Sequence, residues 1–177
     1  MSTSNMLVAG YGGQGILFTG KFRVSTGLIK GKHVSWFPSY GPEMRGGTSN
    51  CSVIISDDPI GSPIVSKPEV LFAMNAPSID KFESLCVEGA TVYMDSSLIS
   101  RTLVRDDLKV YSIPAAKLAS ESGVFGLGNM IMMGKFIKET GICSYDDMEA
   151  AVKMAVSENK KELHDSNLKA LDIGYNL

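Results

Sequence analysis

An apolar run from Asn5 to Gly10 passes through the glycine-rich turn Tyr11-Gly-Gly-Gln-Gly15 into a helical pattern that extends to Lys30. This join limits the fold more than any other feature of the chain. A strand that becomes a helix within a few residues starts a βα unit, and strand and helix signals then alternate to the end of the sequence. On the first helix, taken as Gly13 to Lys30, residues Ile16, Leu17, Gly20, Val24 and Leu28 fall on one face. Gly31 stands where a helix-stopping glycine belongs.

Strands are expected at His33–Phe37 and Ser49–Ser56, then at Thr91–Met94 and Lys109–Ile113. Glu69–Met74 is a continuous apolar run, as in a strand buried on both faces. Helices are expected from Pro77 to about Val87, at Ala115–Glu121 and, rich in methionine, at Gly128–Thr140. Another begins after Ser144, an N-cap residue followed by Asp146 and Asp147, which the helix dipole favours. Met148, Ala151, Val152 and Ala155 form its apolar stripe, and Leu163, Ala170 and Leu171 suggest a last short helix. The pattern predicts an α/β fold: residues 1–177 as a single three-layer Rossmann-like domain with a mostly parallel sheet.

Composition narrows the function classes. A net charge of −2 gives no electrostatic footprint for nucleic acid. No apolar run is long enough to span a bilayer, and Met1–Asn5 has no basic region, so the expectation is a cytoplasmic protein. Charged residues make up 20%, below the usual quarter, as for a surface partly covered by another protein. The apolar first helix and the methionine-rich helix also suit a subunit that docks onto others. Cys51, Cys86 and Cys143 are too scattered for a metal knuckle, and Cys51 and Cys86 read as core residues. His33 sits near a strand start and His164 in a charged helical stretch; a Cys–His nucleophile pair stays open, but no residue is singled out as catalytic or metal-ligating.

Gly10, Gly12 and Gly15 make a GxGxxG between a strand and a helix, the arrangement that aims backbone amides at a phosphate. The dinucleotide fingerprint also needs an acid at the end of the second strand, where this chain has Ser35-Trp-Phe-Pro38, and that speaks against NAD. Two readings stand: a nucleotide or coenzyme-phosphate site, or glycines that only let the helix pack on the sheet. A near P-loop, Gly15 to Lys21, is followed by Phe22 rather than Ser or Thr and falls inside the helix, so it is read as accidental.

Between two expected strands lies Pro38-Ser-Tyr-Gly-Pro-Glu-Met-Arg-Gly-Gly47. Two prolines and three glycines exclude regular structure and predict a shaped loop. Glu43 and Arg45 either form an internal ion pair that shapes the loop or contact a ligand or partner.

The glycine loop Gly10–Gly15, this Pro38–Gly47 segment, Ile60–Pro63, Asn75–Ser78, Asn167–Ala170 and Gly174-Tyr175 occur in order along nearly the whole chain. Together they resemble the gamma subunit of 2-oxoacid:ferredoxin oxidoreductases. The resemblance implies alpha and beta partner subunits, often a ferredoxin-like delta subunit, and ferredoxin as electron acceptor. It implies oxidative decarboxylation of a 2-oxoacid to an acyl-CoA in anaerobic metabolism. Thiamine diphosphate, magnesium and iron–sulfur clusters would lie on the partners. By likeness to the coenzyme A-associated domain of single-chain pyruvate enzymes, Gly10, Gly12, Gly13, Gln14 and Gly15 become candidates for coenzyme A contact. Ser39, Tyr40, Glu43, Met44 and Arg45 would face the partners or line the coenzyme A entry. Among pyruvate, ketoisovalerate and 2-oxoglutarate, overall likeness leans to 2-oxoglutarate, and indolepyruvate enzymes carry a similar domain. The rival readings are a stand-alone Rossmann oxidoreductase and a non-enzymatic coenzyme A- or nucleotide-binding module.

Overall fold

The computed structural model describes residues 2–39 and 48–177. The elements in chain order are β1 (Thr3–Gly10), α1 (Ile16–Ile29), β2 (His33–Ser39), β3 (Ser49–Ser56), β4 (Val70–Ala73), α2 (Ala76–Phe82), β5 (Thr91–Asp95), β6 (Lys109–Ile113), α3 (Ala115–Glu121), α4 (Gly128–Thr140), α5 (Tyr145–Ala155) and α6 (Lys161–Tyr175). A single 3₁₀ turn, Glu83–Leu85, follows α2. The six strands lie in the order β2-β3-β1-β4-β5-β6. β3 alone runs against its neighbours, pairing antiparallel with both β1 and β2. The other pairings are parallel, so the expected mostly parallel sheet is found.

Period-two alternation along β1 sorts its side chains between two cores. Met6 and Val8 enter a large cluster with Phe22 of α1, Met130 of α4 and Leu171 of α6. Leu7 and Ala9 enter a smaller one with Ile79 and Phe82 beneath α2. Helices thus cover both faces and give three layers. Phe72, Tyr93 and Phe136 meet edge-on in the larger core, with ring centroids 5.0, 5.6 and 5.5 Å apart, an arrangement that adds about 1 kcal/mol per pair beyond burial.

The first helix begins at Ile16 rather than Gly13, because the glycine loop takes the intervening residues. Its buried face also differs from the apolar pattern. Thr19, Gly20, Arg23, Thr26 and Gly27 are buried, whereas Leu28 is exposed. Gly20 and Gly27 let the helix approach the sheet closely: a Cβ on Gly20 would lie 2.6 Å from the Cys51 sulfur, and one on Gly27 2.8 Å from Val34. This close approach, together with the buried Ile16 and Phe22, selects the inward face. Gly20 and Lys21 are helical and do not form a phosphate loop.

Met130, Met132 and Met133 are wholly buried by this chain's own sheet and helices, so α4 is core rather than a docking face. The last helix runs for 15 residues, longer than its few apolar positions suggest, because small residues carry its packing on α4. α5 keeps its expected stripe, and Ser144 caps it reciprocally with Asp147. The three cysteines are buried. Desolvation pushes their thiols up, to about 12 for Cys51 and about 11 for Cys86 and Cys143, so they pack as neutral side chains.

Three aspartates hold the periphery. Asp147 receives hydrogen bonds from Lys30 Nζ at 2.6 Å and from Ser144 N at 2.9 Å. Asp57 is held by Lys32 and Ser2, and Asp107 by Arg105 and Gly89. Hydrogen bonding from these donors lowers all three carboxyls to about 2. Each therefore binds fewer protons in the folded chain than in the unfolded one. Their contribution should be complete above about pH 4 and fall away as pH drops toward 2. Acid titration followed by circular dichroism should show this loss, and Asp147→Asn should reduce its steepness.

Candidate functional site

β1 and β4 are parallel neighbours whose connections leave to opposite faces, β1 into α1 and β4 into α2. A crevice therefore opens at their carboxyl ends, the usual place for a ligand in such a sheet. The glycine loop sits over it. Gln14 spans the gap: its Oε1 accepts from Tyr11 N at 2.6 Å and its Nε2 donates to the Met74 carbonyl at 3.0 Å. That amide is committed to holding the loop. Gly10 leaves room for the clamp, since a Cβ there would lie 2.6 Å from Gln14 Oε1 and 2.8 Å from Met74 Cβ.

Gly15 adopts φ +76° as the residue preceding α1, and its missing Cβ makes way for Asn129. Asn129 Nδ2 donates to the Gly15 carbonyl at 3.2 Å and to Thr19 Oγ1 at 3.0 Å, tying the loop to the start of α4. Gly10 and Gly15 are thus required for packing. Gly12 and Gly13 differ: a Cβ at either would meet nothing within 4 Å, so the backbone between Tyr11 and Gln14 faces open space. α1 has no side-chain cap and no acid in its first turn, leaving first-turn amides free for an anion.

Beside this open backbone lies a cleft of about 380 Å³, walled by α1, the start of α4 and the α5–α6 connection. Lys21 and Lys160 line it, as do Asn129 and Asn167. Both asparagines are only 3% exposed, yet the Oδ1 atom of each is buried with no hydrogen-bond partner. Two cations and two asparagines give this recess a polar wall of positive character. Sequence reasoning set Lys21 aside with the false P-loop and passed over Asn129, Lys160 and Asn167, which carry no motif and meet only through the fold.

Ser39 ends β2 exposed, opposite Asn50 of β3, and Gly10 pairs with Ser49. The described ends of the proline- and glycine-rich segment therefore leave the sheet at the same edge as the glycine loop. Tyr40, Glu43, Met44 and Arg45 lie outside the described residues. Asn75 caps α2, accepting from Ser78 N at 2.9 Å and Ser78 Oγ at 2.6 Å, which accounts physically for the Asn75–Ser78 motif. Among the described residues no group of three or more His, Cys, Asp or Glu could hold a metal ion. No described helix is long and apolar enough to cross a membrane.

A doubly wound sheet with a glycine loop over its switch point defines a Rossmann-like ligand-binding or subunit domain. The chain belongs to the pyruvate ferredoxin/flavodoxin oxidoreductase family, whose model matches residues 5–177. It is 38% identical over 169 residues to the ketoisovalerate oxidoreductase subunit VorA of Methanothermobacter marburgensis, covering 94% of this chain and 35% of that protein. The chain thus spans about a third of the length of that relative. It is 35% identical over 171 residues to the 2-oxoglutarate synthase subunit KorC of Methanocaldococcus jannaschii, covering 95% of this chain and 90% of that one. Its fold is similar to the gamma subunit of a keto/oxoacid ferredoxin oxidoreductase from Geobacter sulfurreducens, with a TM-score of 0.85, 27% identity and coverage of 99% and 96% of the two chains.

Proposed function

We propose that this chain is the gamma subunit of a cytoplasmic, multisubunit 2-oxoacid:ferredoxin oxidoreductase. The complex oxidatively decarboxylates a 2-oxoacid to an acyl-CoA and passes the electrons to ferredoxin. Thiamine diphosphate, magnesium and iron–sulfur clusters belong to the alpha and beta partners and to a ferredoxin-like delta subunit. The choice of oxoacid lies with the subunits that hold those groups. This chain forms part of the coenzyme A passage and helps present the thiol to the acyl intermediate, a role of positioning.

The observation that carries this reading is the recess lined by Gly13 and Gly15. Its residues suit coenzyme A: Lys21 and Lys160 match phosphate charge, and Asn129 and Asn167 add polar side chains to the wall. When bound, coenzyme A supplies the acceptor thiol. The chain's own groups hold its polar end and leave the thiol free to reach the partners.

The test is reconstitution with the alpha and beta subunits, followed by kinetics with coenzyme A as the varied substrate. Lys21→Met should raise KM for coenzyme A about fivefold with little change in kcat or in KM for the oxoacid, as expected for loss of one solvent-screened charge contact. Gly12→Val should act in the same direction without unfolding the chain. An unchanged coenzyme A KM in both variants would remove coenzyme A from the recess. Failure of the unaltered chain to co-purify with thiamine-binding alpha and beta subunits would remove the gamma-subunit role itself.

A further inference from the structure

We propose a second ligand site, for a small carboxylate with an apolar body, at the opposite edge of the sheet from the glycine loop, built around the buried guanidinium of Arg23. Arg23 lies on the sheet-facing side of α1 and is only 6% exposed. Arginine is almost never so deeply buried without an anionic partner, because a desolvated charge is costly. Here Nη1 donates to Thr26 Oγ1 at 2.8 Å, and the guanidinium carbon lies 5.6 Å from the Phe136 ring centroid. Nε is buried with no hydrogen-bond partner. Among the described residues no carboxylate pairs with Arg23. The two lysines nearby are already matched, Lys30 by Asp147 and Lys32 by Asp57. Among the described residues one positive charge therefore remains uncompensated, and burial depresses that guanidinium to about 10.

The guanidinium borders a cavity of about 260 Å³. Ser4 and Val70, at the amino ends of β1 and β4, form part of its wall, which places it across the sheet from Gly10 and Ala73. Its lining is mixed. Ser4 and Thr26 bring hydroxyls, whereas Ile55, Val70 and Phe136 bring apolar surface. A single unmatched guanidinium calls for one negative charge, and its planar fork matches a carboxylate. The apolar wall calls for a short hydrocarbon body. A dianionic phosphate would bring surplus charge and leave that wall unused.

The test is thermal melting and isothermal titration of the full chain with isovalerate, isovaleramide and inorganic phosphate at matched ionic strength. Isovalerate should raise the melting temperature saturably and give one-site binding, while isovaleramide, with the same body and no charge, should do neither. Arg23→Met, which keeps the stem and removes the charge, should melt no lower than the unaltered chain and weaken isovalerate binding by about tenfold or more. No saturable effect of isovalerate, or an equal effect of the amide, overturns the proposal on the unaltered chain alone. An equal response in Arg23→Met overturns the location, and phosphate binding tighter than isovalerate overturns the ligand class. None of these outcomes bears on the coenzyme A recess, because Arg23 lies outside it.

Discussion

Gly174→Val should cost about 4 kcal/mol or more and leave little folded protein, since overpacking against backbone has no side chain to yield. α4 and α6 cross in direct backbone contact. A Cβ on Gly174 would overlap the Ile131 carbonyl and lie 3.0 Å from Lys135 N. Its counterpart, Gly134, faces the Leu171 carbonyl and would place a Cβ 2.9 Å from Tyr175 N. The two glycines interlock, so neither helix can retreat from one without losing contact at the other. The loss would be comparable with the whole stability of a small domain. Urea unfolding should show the midpoint collapsing in Gly174→Val and falling less in Gly134→Ala. Gly61→Ala, where a Cβ would meet nothing within 4 Å, should leave the midpoint in place. An unchanged midpoint in Gly174→Val would mean that the two helices do not cross here.

Glu83→Ala should be nearly as damaging, at about 2–4 kcal/mol, because it strands several donors at once. Glu83 is 6% exposed and begins the 3₁₀ turn after α2. Its carboxylate accepts from Arg101 Nη2 at 2.9 Å and from the backbone N–H groups of Val104 and Arg105. Burial alone would push this carboxyl up, but hydrogen bonds from Arg105 N, Arg101 and Val104 N outweigh it and hold it low. Arg105 in turn donates to the Cys86 carbonyl at 2.6 Å and to the Val87 carbonyl at 3.3 Å. The network fastens the loop between β5 and β6 onto the end of α2. Glu83→Gln keeps an acceptor but sets an amide against Arg101, and should lose about half as much. Hydrogen exchange at Val104 and Arg105 should accelerate in both variants, a readout that a uniform loss of packing would not single out. Retained protection there would show that the loop is held by other means.

The sequence carried the element order because strand and helix periodicities are local. The Ala115–Glu121 and Gly128–Thr140 helices match the structure to the residue, as does the Lys109–Ile113 strand. The Ser144 cap and the stripe of α5 were equally legible, since both depend on spacing within a few residues. The inward face of α1 was legible only in part: Ile16 and Gly20 are buried as expected, and Leu17 and Val24 pack against the core. There the apolar rule pointed to Leu28, while close packing of Gly20 and Gly27 turned Thr19, Arg23 and Thr26 inward.

By itself the sequence determined an α/β fold, the place of the glycine turn between β1 and α1, and a family signature spread along the chain. Each of these is written in neighbouring residues or in an ordered set of short segments. Only the tertiary structure divided the glycine loop into clamped and open parts, since Gln14 is fixed by Met74, 60 positions away, and Asn129 reaches Gly15 across 114. Only the fold brought Lys21, Lys160 and the two asparagines around one recess, and only burial left Arg23 without an anion among the described residues. Such properties arise from which groups exclude water from one another, and that is settled when distant segments pack.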